Sequence, residues 1–422
     1  MRLPLQRFFS NLLGERPLAW TQLTHQKTRM AIAITGVSFA NILMFAQLGL
    51  RAALFEGITL IHEHLQGDLF LVSAYSPALG VQDFPQIYLY QAHAVSGVAS
   101  TQALYIRQAN WVNPAKLQQH QSAQTPPPTG SATEQSEQDT TNTQNIFPDT
   151  VKILAFNPIS PVFTLPEVNQ QLHKLNQPDV MLFDRLSQPS LGAIPDLLHH
   201  QSEVTTVMDN QRIYIEGLFT LGSTLFTKGH VIMSDWNYAN RYGQDSLKNV
   251  SVGLLSLNAG ADPLQVQTQL RATLPQSIRV LTQEQLITQE QTFWASDPSG
   301  IVLNFGAVMG FVVGVIVVYQ VLYADVAEHL PEYATLKAMG YSDHSLLRVV
   351  LQEALILAIL GFIPGCITSI GVYNLLSSLT KIPLTLRPDV AAQVFALTLV
   401  MCSFAGAIAT RKLRNADPAD VF

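Results

Sequence analysis

Four stretches of the chain are continuously apolar, and what separates them reads as ordinary soluble sequence. Residues 30–50 and 301–324 carry no charge, 349–373 hold only Glu353 near the start, and 390–410 are again free of charge. A helix needs about 20 apolar residues to cross the hydrocarbon of a bilayer. At that depth a segment must satisfy its own backbone groups, which a helix does. The pattern predicts four transmembrane helices with one long polar segment, 51–300, between the first and the second. The first stretch exceeds the roughly 7–15 apolar residues of a cleaved leader and lacks a small-x-small cleavage site, so it predicts a retained anchor.

Residues 51–65 continue the first helix. Leu50, Leu54, Ile58, Ile61 and Leu65 fall on one helical face. Near the far end, Thr282 followed by Gln285 is a capping-box pattern that opens a helix through Phe293 and Trp294 toward the second span. The two helices predict either a stalk that carries the domain away from the membrane or two unrelated surface helices. Between them, 68–72, 151–156, 180–183, 212–219, 230–233, 252–257 and 278–281 are apolar or alternating runs bounded by turn residues, the pattern of strands. Asp209-Asn210 predicts a hairpin turn into 212–219. Asp262-Pro263 predicts a capped helix start with Leu264, Leu270 and Leu274 facing inward. The fold class expected is therefore membrane α-helical with four transmembrane helices and a large α+β domain between the first and second. Residues 116–145 stand apart. They are rich in Gln, Thr, Ser and Pro and predict a disordered insertion.

Composition agrees with lipid burial. Hydrophobic residues make up 48% and charged residues only 13%, against about 25% charge in soluble chains. A net charge of −6 gives no basic footprint for nucleic acid. The two cysteines, Cys366 and Cys402, both lie in apolar runs. The long middle segment must therefore fold on its own core without disulfides. Basic residues set the orientation. Arg2, Arg7, Arg16, Lys27 and Arg29 precede the first span, and Arg411, Lys412 and Arg414 follow the fourth, whereas 374–389 hold only Lys381 and Arg387. Segments 1–29, 325–348 and 411–422 are expected in the cytoplasm. Segments 51–300 and 374–389 are expected outside, in an inner-membrane protein with both termini cytoplasmic.

Candidate chemistry is sparse. The chain has no Gly-Lys dipeptide and so no phosphate-cradling nucleotide loop; no cofactor is expected on it, and ATP, if used, is hydrolysed by another chain. His62 and His64 do not share a helix face, His199-His200 sit in a polar stretch, and Asp325, Glu328 and Glu332 have no nucleophile beside them. A non-catalytic subunit is expected. Gly306, Gly310 and Gly314 form a doubled GxxxG on the second span, a pattern that lets another helix approach closely, either within the subunit or across a dimer. Gly361 and Gly365, flanking Pro364, predict a bend or close packing in the third span. In the loop between the second and third spans, Pro331 can start a helix and Gly340 can end it, with Tyr333, Leu336 and Met339 on one side. Such a helix could lie on the membrane or fit a groove on a partner.

That loop resembles the signature of the FtsX/MacB superfamily of ABC permeases, Glu-x-x-x-Leu-Arg/Lys-Ala-x-Gly, with Glu332, Leu336, Lys337, Ala338 and Gly340 in place. The layout of one span, a large domain and three further spans is similar as well. The stretches 65–73, 329–341, 352–358 and 411–420, with Asn157-Pro158, 161–163 and 165–170, resemble the DevC-type subgroup. The Gln/Pro-rich insertion departs from the pattern. The resemblance implies a homodimer bound to two copies of a cytoplasmic DevA-like ABC ATPase. Glu332, Tyr333, Leu336, Lys337, Met339 and Gly340 would form the coupling helix. It further implies an HlyD/DevB-like periplasmic adaptor, a TolC-like outer-membrane channel, contact with membrane lipid, mechanotransmission in place of passage through the permease, and an amphiphilic substrate such as a glycolipid. The alternative is an FtsX-like transmembrane actuator of a cell-wall hydrolase. The topology is tested by reporter fusion at about residue 130. A periplasm-active reporter is expected to work there and a cytoplasm-active one to fail; the reverse result contradicts the orientation.

Overall fold

The computed structural model describes residues 27–117, 149–224, 227–328, 343–380 and 384–410. The predicted coupling helix and nearly all of the predicted insertion lie outside the described residues. The chain divides into two units: Ala53–Asp297 with Ser377–Pro383 form one, and the remainder forms the other.

Helix α1 (Lys27–Glu63) begins in the helical unit and gives its last turns to the α+β unit. There it is followed by β1 (Leu69–Ser73), β2 (Phe84–Pro85), α2 (Ile87–His93), β3 (Val98–Val112), β4 (Asp149–Phe156) and α3 (Pro166–Asn169). Next come β5 (Val180–Asp184), α4 (Ile194–His200), β6 (Val204–Met208), β7 (Gln211–Phe219), β8 (His230–Ser234) and α5 (Asp235–Tyr242). The unit ends with β9 (Asn249–Val250), β10 (Val252–Leu257), α6 (Pro263–Thr273), β11 (Ile278–Leu281) and α7 (Gln283–Ser296). Nine strands form one mixed sheet in the order β11-β1-β10-β3-β4-β8-β5-β7-β6. The pairs β4–β8 and β5–β7 are parallel. The far end of β3 also pairs with β6, Trp111 opposite Met208, so β3-β4-β8-β5-β7-β6 close into a ring.

All seven runs read as strands form strands. Asp209 and Asn210 take the left-handed conformation, φ 46° and 61°, that a tight two-residue hairpin demands, and they join β6 to β7. Strand β3 was not legible. Its 15 residues exchange one neighbour for another along their length, so no single face alternates cleanly. Helix α6 starts at Pro263 behind an Asp262 cap, but Leu264 is exposed; Val266, Leu270 and Leu274 face inward instead. This corrects the expected inward face. The buried face runs through Val266, Leu270 and Leu274 at i, i+4 and i+8, and Leu264 lies about 160° round the helix from Val266.

One apolar cluster gathers Trp111, Phe183, Ile213, Ile215 and Val231, and a second gathers Phe70, Leu154, Phe156, Phe163 and Ile232 with Ile61 and Leu65. Trp111 is fully buried, donates from Nε1 to the Leu191 carbonyl at 2.9 Å and tilts against Phe183 at 5.4 Å.

The helical unit adds α8 (Pro298–Glu328), α9 (Asp343–Thr380, with Pro364 inside) and α10 (Pro388–Ala409). Among the described residues, four helices are long and apolar enough to cross a membrane: Met30–Glu63, Gly300–Glu328, Arg348–Ser378 and Pro388–Ala409. The architecture is thus four candidate membrane helices with a large α+β domain between the first and the second. Replacing Trp111 with Ala is expected to destabilise the domain by about 3–5 kcal/mol. Urea unfolding of the detergent-solubilised chain, followed by fluorescence, measures it.

Candidate functional site

The glycines singled out on the second span, Gly306, Gly310 and Gly314, face α1 of the same chain. A Cβ on Gly306 would meet the end of Gln47 at 2.5 Å, and one on Gly310 would lie 3.5 Å from the Leu43 Cβ. One on Gly314 would strike the Met401 sulfur and come within 2.9 Å of the Ala40 Cβ. Gly36 in turn receives Val317. As α8 numbers rise, α1 numbers fall, so the two helices run antiparallel. The third span packs on α1 in the opposite sense. A Cβ on Gly361 would meet Val37 at 2.5 Å, and one on Gly365 would meet Asn41 at 2.9 Å. Further along, Gly49 lies against the Tyr373 ring. Three of the four helices therefore alternate as successive crossings require, and α1 is their common wall.

Polar groups line this wall. The Ser38 hydroxyl lies 2.6 Å from the Ile34 carbonyl of its own helix and 3.0 Å from the Gly361 carbonyl of α9. Gly361 sits one turn before Pro364, whose missing N–H loosens that part of the helix. Asn41 is fully buried and meets Thr398 of α10 at 2.5 Å. The Tyr373 hydroxyl donates to the Phe45 carbonyl. In a bilayer such contacts, with small residues that admit them, take over the role that apolar burial plays in water.

The α+β unit holds charges where its strands are otherwise apolar. Lys152, His230 and Asp184 lie side by side across β4, β8 and β5. Asp184 is fully buried and accepts from the backbone N–H groups of Leu186, Leu221 and Gly222 at 3.1, 3.1 and 2.8 Å; His230 Nδ1 approaches it at 3.4 Å. Burial pushes the His230 imidazole down, against the opposing pull of Asp184. Desolvation likewise lowers Lys152, opposed by Glu290. A second buried pair joins α1 to α7, with His62 Nε2 3.4 Å from a Glu290 oxygen. Burial raises the Glu290 carboxyl, but the attraction of nearby His62 and hydrogen bonds from the Trp294 indole and the Leu79 N–H outweigh it and hold the group below its ordinary range.

His199 and His200 are exposed. Among the described residues no group of three His, Cys, Asp or Glu could hold a metal ion. The coupling residues Glu332, Tyr333, Leu336, Lys337, Met339 and Gly340 lie outside the described residues. Sequence reasoning missed the pairs His62–Glu290 and His230–Asp184. Their only signal was a charged or imidazole residue at the end of an apolar strand or on the buried side of a helix.

Comparison with known proteins places the helical unit. The family model described as FtsX-like permease C-terminal matches residues 304–418, which run from the second span through the loop to the tail. No curated protein matches the chain. Two of the solved structures that align with it are the following. The periplasmic region of MacB from Actinobacillus actinomycetemcomitans is 8% identical, covers 56% of this chain and 97% of its own length, and superposes with a TM-score of 0.32. The extracellular domain of the noncanonic ABC-type transporter YknZ from Gram-positive bacteria is 10% identical, covers 51% and 99%, and gives 0.26. The segment similar to the FtsX-like permease model thus follows the α+β domain in the chain.

Two outcomes follow from this geometry. Ala at Gly310 is expected to leave detergent-phase thermal stability nearly unchanged, whereas Ala at Gly361, facing the stiff Val37, should lower it by about 1–3 kcal/mol. Equal effects at both would contradict the packing. A histidine whose folded pKa is depressed contributes stability that is complete above its unfolded pKa, about 6.5, and is lost as pH falls below it. The unfolding midpoint is therefore expected to drop between about pH 7 and pH 5, and His230→Gln to flatten that slope. A slope unchanged by the substitution would contradict the buried neutral imidazole.

Proposed function

We propose that the chain is the permease subunit of an ABC-type exporter. The observation that carries this reading is the match of residues 304–418 to the FtsX-like permease model. The four long apolar helices and the absence of a nucleotide loop from the sequence support it. In this reading a separate cytoplasmic ABC ATPase of the DevA type supplies the energy and the chain itself is not an enzyme. Two copies of the chain pair with two copies of the ATPase in the inner membrane, with both termini cytoplasmic.

The loop that carries Glu332, Tyr333, Leu336, Lys337, Met339 and Gly340 seats on the ATPase. Its apolar positions at helical spacing suit a groove on a partner protein. Closure of the ATPase pair moves the loop and the third span that follows it. Motion then reaches the α+β domain, which works on a periplasmic HlyD/DevB-like adaptor and a TolC-like channel. The DevC-type sequence resemblance points to a lipid-like or other amphiphilic substrate.

The test is affinity purification from gently solubilised membranes with mass spectrometry of the retained proteins. The native chain is expected to retain an ABC ATPase and an HlyD-like adaptor. Leu336→Asp or Gly340→Asp should lose the ATPase while the chain stays in the membrane. Recovery of a cell-wall hydrolase in place of an adaptor would favour the actuator role. Full retention of the ATPase by both variants would remove the loop from the coupling role.

A further inference from the structure

Helix α7 is seated in an unusual way. A surface helix of a globular domain ordinarily buries an apolar stripe about 100° wide. Of the 14 residues of α7, only Leu286 and Glu290 are buried, and one of those two is a carboxylate. The helix is instead tied down by polar groups from its neighbours. Glu290 accepts from the Leu79 N–H at 2.8 Å and lies 3.4 Å from His62 Nε2 of α1, while Lys152 of β4 adds attraction across the gap. Within α7 the Trp294 indole also donates to it, at 3.0 Å. Gln283 donates to the His62 carbonyl at 2.8 Å and Gln289 to the Ser76 carbonyl at 3.1 Å. The seat is also unfilled on one side. An open groove of about 710 Å³ runs along α7, walled by Ala74, Tyr75, Ser76, Pro77 and Arg279. Both ends of the helix are joints. A reciprocal capping box of Thr282 and Gln285 opens it, and an extended residue, Asp297 (φ −65°, ψ 151°), closes it ahead of Pro298.

We propose that α7 is a detachable strap, latched to the α+β domain by Glu290 and His62 and released as a unit. The latch has two states for a physical reason. Parting Glu290 from Leu79 and His62 while it stays buried leaves a carboxylate without compensation, so partial opening costs more than either end state. With α7 seated, His62 and Glu290 are both buried. With α7 released, both are hydrated and the groove floor at Ala74–Pro77 is uncovered. Apolar packing offers little resistance, because Leu286 is the only fully buried apolar side chain on the helix. The capping box keeps the helix intact while it moves. The strap goes beyond the transport reading and does not depend on it.

Hydrogen exchange of the full chain in detergent micelles, read by mass spectrometry, tests it. In the native chain, amides of Leu286–Trp294 are expected to exchange at least about tenfold faster than those of β4, β5 and β8, the signature of a sub-global opening. Glu290→Ala should speed α7 by a further factor of about ten, together with the amide of Leu79, and leave the three strands unchanged. His62→Ala should act on α7 in the same direction and serves as the second variant should Glu290→Ala fail to fold. Native α7 amides as protected as the strands would overturn the proposal. So would a His62→Ala chain whose α7 rates match the native ones, or a variant that speeds helix and strands alike.

Discussion

The approach of the second and third spans to α1 sets the geometry of the helical unit. Inside a bilayer, apolar side chains gain nothing by leaving lipid for one another, so helices associate where small residues let backbones come close. Here Gly306, Gly310 and Gly314 of α8 and Gly361 and Gly365 of α9 all approach α1, Gly314 also meeting Met401 of α10. Val37, Ala40 and Leu43 face Gly361, Gly314 and Gly310. A side chain at Gly361 or Gly314 would push α1 away from its neighbours. The polar contacts at Ser38, Asn41 and Phe45 form only because that approach is tight. In this bundle glycine admits the backbone, and hydroxyl and amide groups then fix the register.

A different balance holds the α+β unit. Two apolar clusters stabilise its sheet, and the ring from β3 to β6 leaves few free edges. Charges enter only in pairs or rows. Asp184 is bought its burial by three backbone N–H groups, and Glu290 by donors from three segments. Such groups lend little net stability, since desolvation offsets most of the attraction. They do make the arrangement specific, because a misplaced neighbour would strand a buried charge. Apolar side chains thus gather around Trp111 and Phe183, while α7 buries a single apolar side chain, Leu286, and is otherwise tied by polar links.

Much of this was legible in the sequence. The four spans follow from charge-free length alone, a signal that no tertiary contact overrides. Seven strands announce themselves by apolar runs, and the caps at Asp262 and Thr282 by local chemistry that the folded chain keeps. What failed was non-local. Strand β3 changes partners along its length, so its pattern of burial is set by β10, β4 and β6, not by its own alternation. Leu264 faces solvent because the packed face of α6 runs through Val266, Leu270 and Leu274 at i, i+4 and i+8, and Leu264 lies about 160° round the helix from Val266. The glycines of the second span lie against α1 of the same chain, a contact that their spacing alone does not distinguish from one between chains. His62 and Glu290 meet across most of the domain, and nothing near either residue in sequence marks the other.

The measurement that bears most directly on α1 as the common wall is disulfide trapping in native membranes. Cysteines would replace Leu43 and Gly310, with Cys366 and Cys402 changed to Ala. The Leu43 Cβ and a Cβ at Gly310 lie 3.5 Å apart, within the spacing of about 3.5–4.5 Å that a disulfide spans. Mild oxidation is expected to give a crosslink within one chain, seen as a mobility shift of the monomer. A covalent dimer, or no crosslink at all, would contradict the packing of the second span on the first.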